Sequence, residues 1–170
     1  MRVTAVVGNP KPGSRTLMAA LECAGQIADA IGTSAVESFD LADLGSRLLE
    51  WNDSDVATVR QAMRTSTVLV IASPTYKATY TGVLKLLFDQ LAADELLGMI
   101  AIPLMVGGSP THSLAVETHL RPLLVEVGCS CPTEGLYVVE AQLPDMAEVV
   151  GTWLAKWRHV LPVRYRSSEE

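Results

Sequence analysis

Residues 68–82 have the sequence VLVIASPTYKATYTG, an apolar run followed directly by a polar and aromatic loop. Residues 68–72 are apolar without alternation, which is typical of a strand buried on both faces. The loop of residues 73–82 carries more side-chain chemistry than a tight strand-to-helix connection needs. This stretch therefore predicts a central strand of a parallel sheet, with a ligand-binding loop at its carboxyl end.

The rest of the chain repeats this strand-then-helix order. Further apolar runs, bounded by turn residues, lie at residues 2–7, 34–39, 99–106 and about 133–139. Helical patterns occupy residues 15–31, 54–65, 80–92, 113–127 and 144–160. Such alternation predicts an α/β fold with a parallel sheet and helices on both faces.

Pro103 lies inside the fourth apolar run, where its missing N–H removes a ladder hydrogen bond. We therefore expect either a local irregularity of that strand or a strand boundary that lies elsewhere.

Length and composition favour one compact domain. A chain of 170 residues with 49% apolar and 19% charged residues can bury a sizeable core. We expect a single domain over residues 1–170, with a frayed tail at 164–170. The net charge of −6 disfavours nucleic-acid binding. Neither a signal-peptide pattern nor an apolar run near the ~20 residues that span a bilayer occurs, so we expect a cytoplasmic protein that does not enter the membrane.

The three cysteines, Cys23, Cys129 and Cys131, show neither a C-x-x-C pattern nor metal-ligand spacing. We expect buried reduced thiols and predict no metal site.

The loop after the first strand, GNPKPGSRT at residues 8–16, combines small residues, hydroxyls and two cations at a helix start. Free N–H groups and the helix dipole favour an anion there, Ser14 and Thr16 can donate, and Arg15 or Lys11 can supply charge. The alternative is a simple turn with Ser14 as the N-cap. The loop matches neither the dinucleotide fingerprint nor the P-loop pattern, so both of those classes are disfavoured.

The loop at residues 73–82 suits a planar heteroaromatic ring, since aromatic and proline surfaces can pack on the ring while hydroxyls and N–H groups orient it. The alternative is that Tyr76 and Tyr80 only pack the loop onto the next helix. Ligands of doubly wound sheets bind beyond the carboxyl ends of the strands, which favours the binding role.

The loop after the fourth strand, GGSPTH at residues 107–112, offers two glycines that let backbone N–H groups approach a ligand closely. His112 is either a contact to the ligand's edge or a capping or surface residue. His119 is expected at a helix–helix or subunit contact and receives no catalytic role.

Three segments carry a family resemblance: GNPKPGSRT, SPTYKATYTGVLKLLFD and GGSPTHSLAVETHLRPLL. They resemble the NADPH-dependent FMN reductase family, above all the flavin reductases of alkanesulfonate monooxygenase systems, over most of residues 3–140. The resemblance implies a flavodoxin-like three-layer sandwich with a five-stranded parallel sheet in the order 2-1-3-4-5.

The same resemblance implies FMN as the flavin and NADPH or NADH as the hydride donor. Its implied cofactor contacts fall in three groups. Ser14, Arg15 and Thr16 would meet the phosphate, with Asn9 and Lys11 in the same loop; Pro74, Thr75, Tyr76 and Lys77 would hold the isoalloxazine; Gly107, Gly108, Ser109 and His112 would border its other side. No residue has to act as an acid or base, because the flavin carries the chemistry.

The sequence departs from the family pattern at three places. Asn9 stands where many relatives have Ser, Leu17 replaces a frequent hydroxyl, and no tyrosine occurs at Thr118 or His119. In the resembling enzymes, the helix that corresponds to the segment around Thr118 and His119 lies at a subunit contact near the flavin. These departures leave open whether FMN stays bound or leaves as a substrate.

The leading hypothesis is an NAD(P)H-dependent FMN reductase that supplies reduced FMN to a partner flavin-dependent monooxygenase. The alternatives are an FMN-retaining quinone, azo or chromate reductase, a non-catalytic flavodoxin-like electron carrier, and a flavin-binding sensor. A surplus of apolar positions on the predicted helices predicts a homodimer or homotetramer.

Overall fold

The computed structural model describes residues 1–162; the tail expected to fray, 164–170, lies outside the described residues. Within them, strands and α-helices alternate as the sequence predicts. The strands are β1 (Val3–Val7), β2 (Val36–Asp40), β3 (Val68–Pro74), β4 (Ile100–Gly107) and β5 (Leu136–Val139). The α-helices are α1 (Arg15–Ile31), α2 (Ser54–Arg64), α3 (Gly82–Phe88), α4 (Arg121–Glu126) and α5 (Met146–Trp157).

All strand pairs are parallel, and the sheet order is β2-β1-β3-β4-β5, which confirms the expected flavodoxin-like topology. The register aligns the carboxyl ends of the strands: Val7 pairs with Asp40 and Ala72, Pro74 with Val106, and Gly107 with Val139. The loops that leave all five strands therefore lie along one edge.

The sheet separates two apolar cores, because successive strand residues point to opposite faces. Val3, Ala5 and Val7 pack with α1 and α5, whereas Val6 faces the layer that holds α2, α3 and α4. β1 and β3 are buried along their whole length, as predicted for β3 from its unbroken apolar run.

Helix α1 begins and ends where the sequence predicts. The Ser14 side chain caps it by accepting a hydrogen bond from the Leu17 N–H at 3.2 Å. Gly32 ends it with a φ of 75°, a left-handed conformation that glycine adopts without steric cost.

Two predicted helices are shorter or less regular than expected. The pattern at residues 80–92 forms only α3, which ends at Phe88. The pattern at 113–127 is split into a π-helical turn, Val116–Leu120, and α4. Pro122 cannot donate a helical hydrogen bond, and the Arg121 N–H just before it bonds to the Val116 carbonyl, five residues back. Two 3₁₀ turns, Leu41–Asp43 and Gly45–Leu49, were not predicted.

Pro103 lies inside β4, opposite Ile71 of β3. The Ala101 N–H donates to the Ser130 carbonyl on the β5 side, so the missing N–H of Pro103, two residues on, faces the same side. Pairing with β5 starts only at Leu104. The expected irregularity of β4 is therefore a break in its hydrogen bonding on the β5 side, between its contact with Ser130 and the start of its pairing with β5.

The cysteine prediction is confirmed for Cys23 and Cys129, which are buried thiols without a disulfide. Burial raises the pKa of each to about 12, which keeps both thiols protonated. Cys131 is half-buried.

Among residues 1–162, no helix has both the length and the apolar character needed to cross a bilayer.

The first and second loops meet at Gly8. A Cβ added to Gly8 would lie 2.9 Å from the Leu84 Cα, so only glycine lets β1 end this close to α3. The Thr81 hydroxyl, which caps α3, donates to the Gly8 carbonyl, while the Thr81 N–H donates to the Ser73 hydroxyl at 3.0 Å. These contacts join the two loops into one unit.

We expect Gly8→Ala to lower the free energy of unfolding by about 1–3 kcal/mol, because the new methyl group must displace the α3 backbone. Urea denaturation measures this change. Gly25→Ala, inside α1 with no atom near its added Cβ, is the matched control and should stabilise the protein by about 0.5–1 kcal/mol. A Gly8→Ala variant as stable as wild type would contradict the constraint.

Candidate functional site

A cleft of about 220 Å³ opens at the carboxyl edge of the sheet, between the first and second loops. Its lining residues are Asn9, Lys11, Gly13, Ser14, Arg15, Thr16, Pro74, Tyr76, Val106 and Glu140. Pockets for whole small-molecule ligands usually have ~300–1,000 Å³. The cleft therefore suits one end of a nucleotide better than a whole one.

Asn9 and Thr16 form the buried floor of this cleft. The Asn9 side-chain amide donates to the Thr16 hydroxyl at 3.2 Å, and its oxygen accepts from the Lys11 N–H at 3.0 Å. Asn9 thus fixes the turn of the first loop against the start of α1. Because the Asn9 side chain already bonds to other groups of the protein, its role is to hold the shape of the first loop.

The first turn of α1 presents N–H groups to the cleft. Arg15 and Thr16 occupy the first two helical positions, where no intrahelical acceptor exists. Among the described residues, no other acceptor is within bonding distance of these two N–H groups. Together with the helix dipole they favour an anion at this point.

The rim of the cleft carries both signs of charge. The Arg15 guanidinium donates to the Glu140 carboxylate at 2.9 Å, and Lys11 is exposed. The Asp40 carboxylate, at the end of β2, accepts from the Gly13 N–H at 3.0 Å. The two cations are thus opposed by two nearby carboxylates, so the local field alone does not select an anion.

The second loop contains a strained turn. The Tyr76 and Thr79 backbones bond to each other in both directions, at 2.9 and 3.2 Å. Between them Lys77 and Ala78 have φ values of 52° and 65°, a left-handed conformation that side-chain-bearing residues rarely adopt. Strain of this kind concentrates at ligand sites, where it fixes backbone groups in a set orientation.

Thr75 leads into this turn. Its N–H donates to the Val106 carbonyl at 2.7 Å, which ties the second loop to β4. Its hydroxyl is buried and has no hydrogen-bond partner among the described residues. Such an orphaned hydroxyl is costly unless a ligand completes it, and a polar ring edge is of the right chemistry to do so. Tyr76, the next residue, is 50% exposed.

The third loop is supported by Tyr137 of β5. The Tyr137 hydroxyl donates to the Ser109 carbonyl at 2.8 Å. A Cβ on Gly107 would lie 2.7 Å from the Tyr137 Cζ, so Gly107 leaves room for that ring, whereas Gly108 faces open space. Ser109 caps a short turn by accepting from the Thr111 N–H at 3.0 Å, and His112 is exposed.

An ion-pair network anchors the π-helical turn behind the third loop. Arg121 donates to the Glu117 carboxylate and, at 2.6 Å each, to the Cys131 and Thr133 carbonyls. Glu117 also accepts from the Gly135 N–H at 2.6 Å. The Arg121 hydrogen bond lowers the pKa of Glu117, and partial burial opposes that effect without cancelling it. Thr118 and His119, on the same turn, are exposed.

The structure distributes the predicted contact residues over three places. Asn9, Lys11, Ser14, Arg15, Thr16, Pro74 and Tyr76 line one cleft; Thr75 and Lys77 lie in the adjoining turn; Gly107, Gly108, Ser109 and His112 lie in the third loop outside the cleft lining. Their ligand contacts remain predictions.

Sequence reasoning missed Asp40, Tyr137 and Glu140. They lie on β2 and β5 or just after β5, outside the predicted site loops after strands one, three and four. The signal that could have found Asp40 and Glu140 is that every parallel strand ends at the same edge.

Among the described residues, no group of His, Cys, Asp and Glu side chains could hold a metal ion.

Comparison with known proteins gives a consistent result. The family profile described as NADPH-dependent FMN reductase matches residues 1–143. The FMN reductase (NADPH) of Escherichia coli (strain K12) is 29% identical over 149 residues, covering 85% of this chain and 76% of that protein. The NADH-dependent FMN reductase SfnF of Pseudomonas putida is 32% identical over 150 residues, covering 83% and 79%. The crystal structure of NADH:FMN oxidoreductase (EMOB) superimposes with a TM-score of 0.85 at 27% identity, covering 98% and 92%.

We expect Glu117→Gln to destabilise the protein by about 1 kcal/mol at pH 7, a value reduced for the partial exposure of the pair. Because the folded-state pKa of Glu117 is lowered, its contribution is present above the ordinary glutamate pKa of ~4.3 and is lost as the pH falls through the folded value. Urea denaturation at pH 7 and pH ~3 should show a larger difference from wild type at the higher pH.

Glu126→Gln, an exposed substitution on α4 with the same charge change, is the control and should match wild type at both pH values. A Glu117→Gln deficit of equal size at both pH values would contradict the ion-pair explanation.

Proposed function

This chain belongs to the NADPH-dependent FMN reductase family, and from this premise we propose that its carboxyl-edge cleft binds FMN for reduction by NADPH or NADH. The observation that carries the proposal is the pairing of an anion-favouring helix start with an adjoining loop that holds an orphaned hydroxyl and a strained turn. These are the two chemistries that a flavin nucleotide requires, one for the phosphate and one for the ring edge.

The phosphate would bind at the start of α1. The N–H groups of Arg15 and Thr16, unpaired within residues 1–162, and the hydroxyl of Ser14 would supply directional hydrogen bonds. The side chains of Arg15 and Lys11 add positive charge from the rim. Asn9 keeps the loop in the shape that points these groups into the cleft.

The ring would lie against the second loop. Pro74 and Tyr76 supply surface for packing, the Thr75 hydroxyl gains the partner that it lacks, and the turn at Lys77 presents backbone groups in a fixed orientation. Gly107, Gly108, Ser109 and His112 would border the other side of the ring. Tyr137 positions this third loop through Ser109.

The flavin, when bound, supplies the redox chemistry by accepting a hydride from the reduced nicotinamide. The protein's own contribution is to orient the ring, to leave one face of the ring open to the nicotinamide, and to hold the two in an orientation suited to hydride transfer. No side chain of the cleft is required as a general acid or base. The proposal therefore assigns no catalytic residue.

We further propose that reduced FMN leaves the protein and is used by a flavin-dependent monooxygenase. Support comes from the rim, where the Arg15 side chain is 69% exposed, so that the cations near the phosphate remain accessible to water. We also propose a cytoplasmic homodimer or homotetramer. The exposed apolar side chains of Leu97, Leu114 and Val125 favour such self-association.

The test of the function is oxidation of NADPH and NADH at 340 nm by purified protein, with and without added FMN, together with the visible spectrum of the protein as isolated. We expect colourless protein and turnover only after FMN is added. Yellow protein that needs a quinone or azo acceptor would instead indicate an FMN-retaining reductase. Absence of oxidation under every condition would indicate an electron carrier or a sensor.

We expect Thr75→Val to weaken FMN binding by about five- to tenfold, the loss of one hydrogen bond, while leaving the free protein equally stable or slightly more stable. The stability should not fall, because the removed hydroxyl has no partner within the described residues. Flavin fluorescence titration and urea denaturation measure the two effects.

Thr133→Val is the matched control, since the Thr133 hydroxyl is also buried without a partner among the described residues but lies before β5, away from the three loops at the carboxyl edge of the sheet. It should leave FMN affinity unchanged. Equal FMN affinity in Thr75→Val and wild type would remove Thr75 from the site.

A further inference from the structure

We propose that Glu140 sets the flavin specificity of this site by competing with the flavin phosphate for Arg15, which weakens FMN binding and favours flavin release. This inference rests on the proposed function. It adds a residue that lies after β5, outside the three loops that the family resemblance marks.

The geometry places the competitor inside the cleft. Arg15 and Glu140 both line it, and Arg15 Nη2 lies 2.9 Å from Glu140 Oε1, although 125 residues separate them in sequence. The pair joins the start of α1 to the end of β5. A phosphate bound at the start of α1 would therefore meet a guanidinium that already has an anionic partner.

The backbone of Glu140 is held at the edge of the cleft. Glu140 directly follows β5, where Val139 pairs with Gly107 of β4, and it begins a 3₁₀ turn that ends at Asp145. Gln142 fixes this turn by accepting from the Val139 N–H at 3.0 Å. These contacts fix the backbone of Glu140 at the edge of the cleft, within reach of Arg15.

Two opposite effects of Glu140 have to be compared. It could pre-orient Arg15 for the phosphate, which would strengthen binding, or it could repel the phosphate and occupy Arg15, which would weaken binding. The side chains of Arg15 and Glu140 are 69% and 44% exposed, and exposed pairs hold a long side chain only weakly. A phosphate monoester carries a charge of about −1.5 to −2 near neutral pH, so the repulsion is the larger effect.

The competition would let the site distinguish flavins that carry a phosphate from flavins that do not. FMN carries this group and riboflavin does not, while both share the ring that the second loop would contact. Removing the Glu140 charge should therefore strengthen FMN binding and leave riboflavin binding unchanged. The effect should shrink as salt screens the exposed charges.

The experiment is fluorescence titration of wild type and Glu140→Gln with FMN and with riboflavin. Each titration is run at about 20 mM and about 500 mM salt, because the Debye length is above ~10 Å at the first concentration and below it at the second. We expect FMN to bind Glu140→Gln about two- to fivefold more tightly at low salt, with a smaller gain at high salt and less than a twofold change for riboflavin. Arg15→Ala should weaken FMN binding more in the Glu140→Gln background than in wild type, because Arg15 is then available to the phosphate.

Glu148→Gln, an exposed change on α5 that alters the net charge equally without lining the cleft, is the control and should leave both flavins unaffected. Unchanged or weaker FMN binding by Glu140→Gln, or equal gains for FMN and riboflavin, would overturn the competition while the FMN reductase function stands. Failure of wild type to bind FMN at all would overturn the proposed function itself.

Discussion

The close approach of Gly8 to Leu84 is the constraint on which the site depends. Without a side chain at Gly8, the end of β1 can lie against α3, and the Thr81 hydroxyl can reach the Gly8 carbonyl. The same threonine holds Ser73 through its N–H. As a result, the loop that begins α1 and the loop that follows β3 are joined beside the cleft.

Polar groups at the site are hydrogen-bonded less completely than those of the network behind the third loop. Behind the third loop, each guanidinium nitrogen of Arg121 donates to Glu117 or to a backbone carbonyl, which pins the π-helical turn to the segment before β5. At the cleft and in the turn beside it, in contrast, the first N–H groups of α1 and the Thr75 hydroxyl lack partners among the described residues. Unpaired polar groups at the edge where ligands of this fold class bind are typical of a surface prepared for a ligand.

The sequence predicts the parts of this arrangement that depend on local patterns. The unbroken apolar run of β3 and the capped start of α1 are local signals, and parallel order brings the ends of the strands to one edge. The same rule places Asp40 and Glu140 at that edge, but the groups that they contact there depend on the register that aligns β2 and β5 with the central strands. The turn at Val116 was missed because Pro122 interrupts a helical pattern that otherwise continues through it.

The balance of charge at the cleft explains what kind of binding this fold can provide. A chain with a net charge of −6 attracts no dianion by its overall field, and at the rim Glu140 and Asp40 offset Arg15 and Lys11. The attraction that remains comes from the N–H groups at the start of α1, which act over hydrogen-bond distances and depend on orientation. Such a site would select a phosphate by shape and contact while leaving little long-range field to retain it. Exchange of the flavin is therefore compatible with the electrostatics of the fold, and tight retention would require contacts from the ring side.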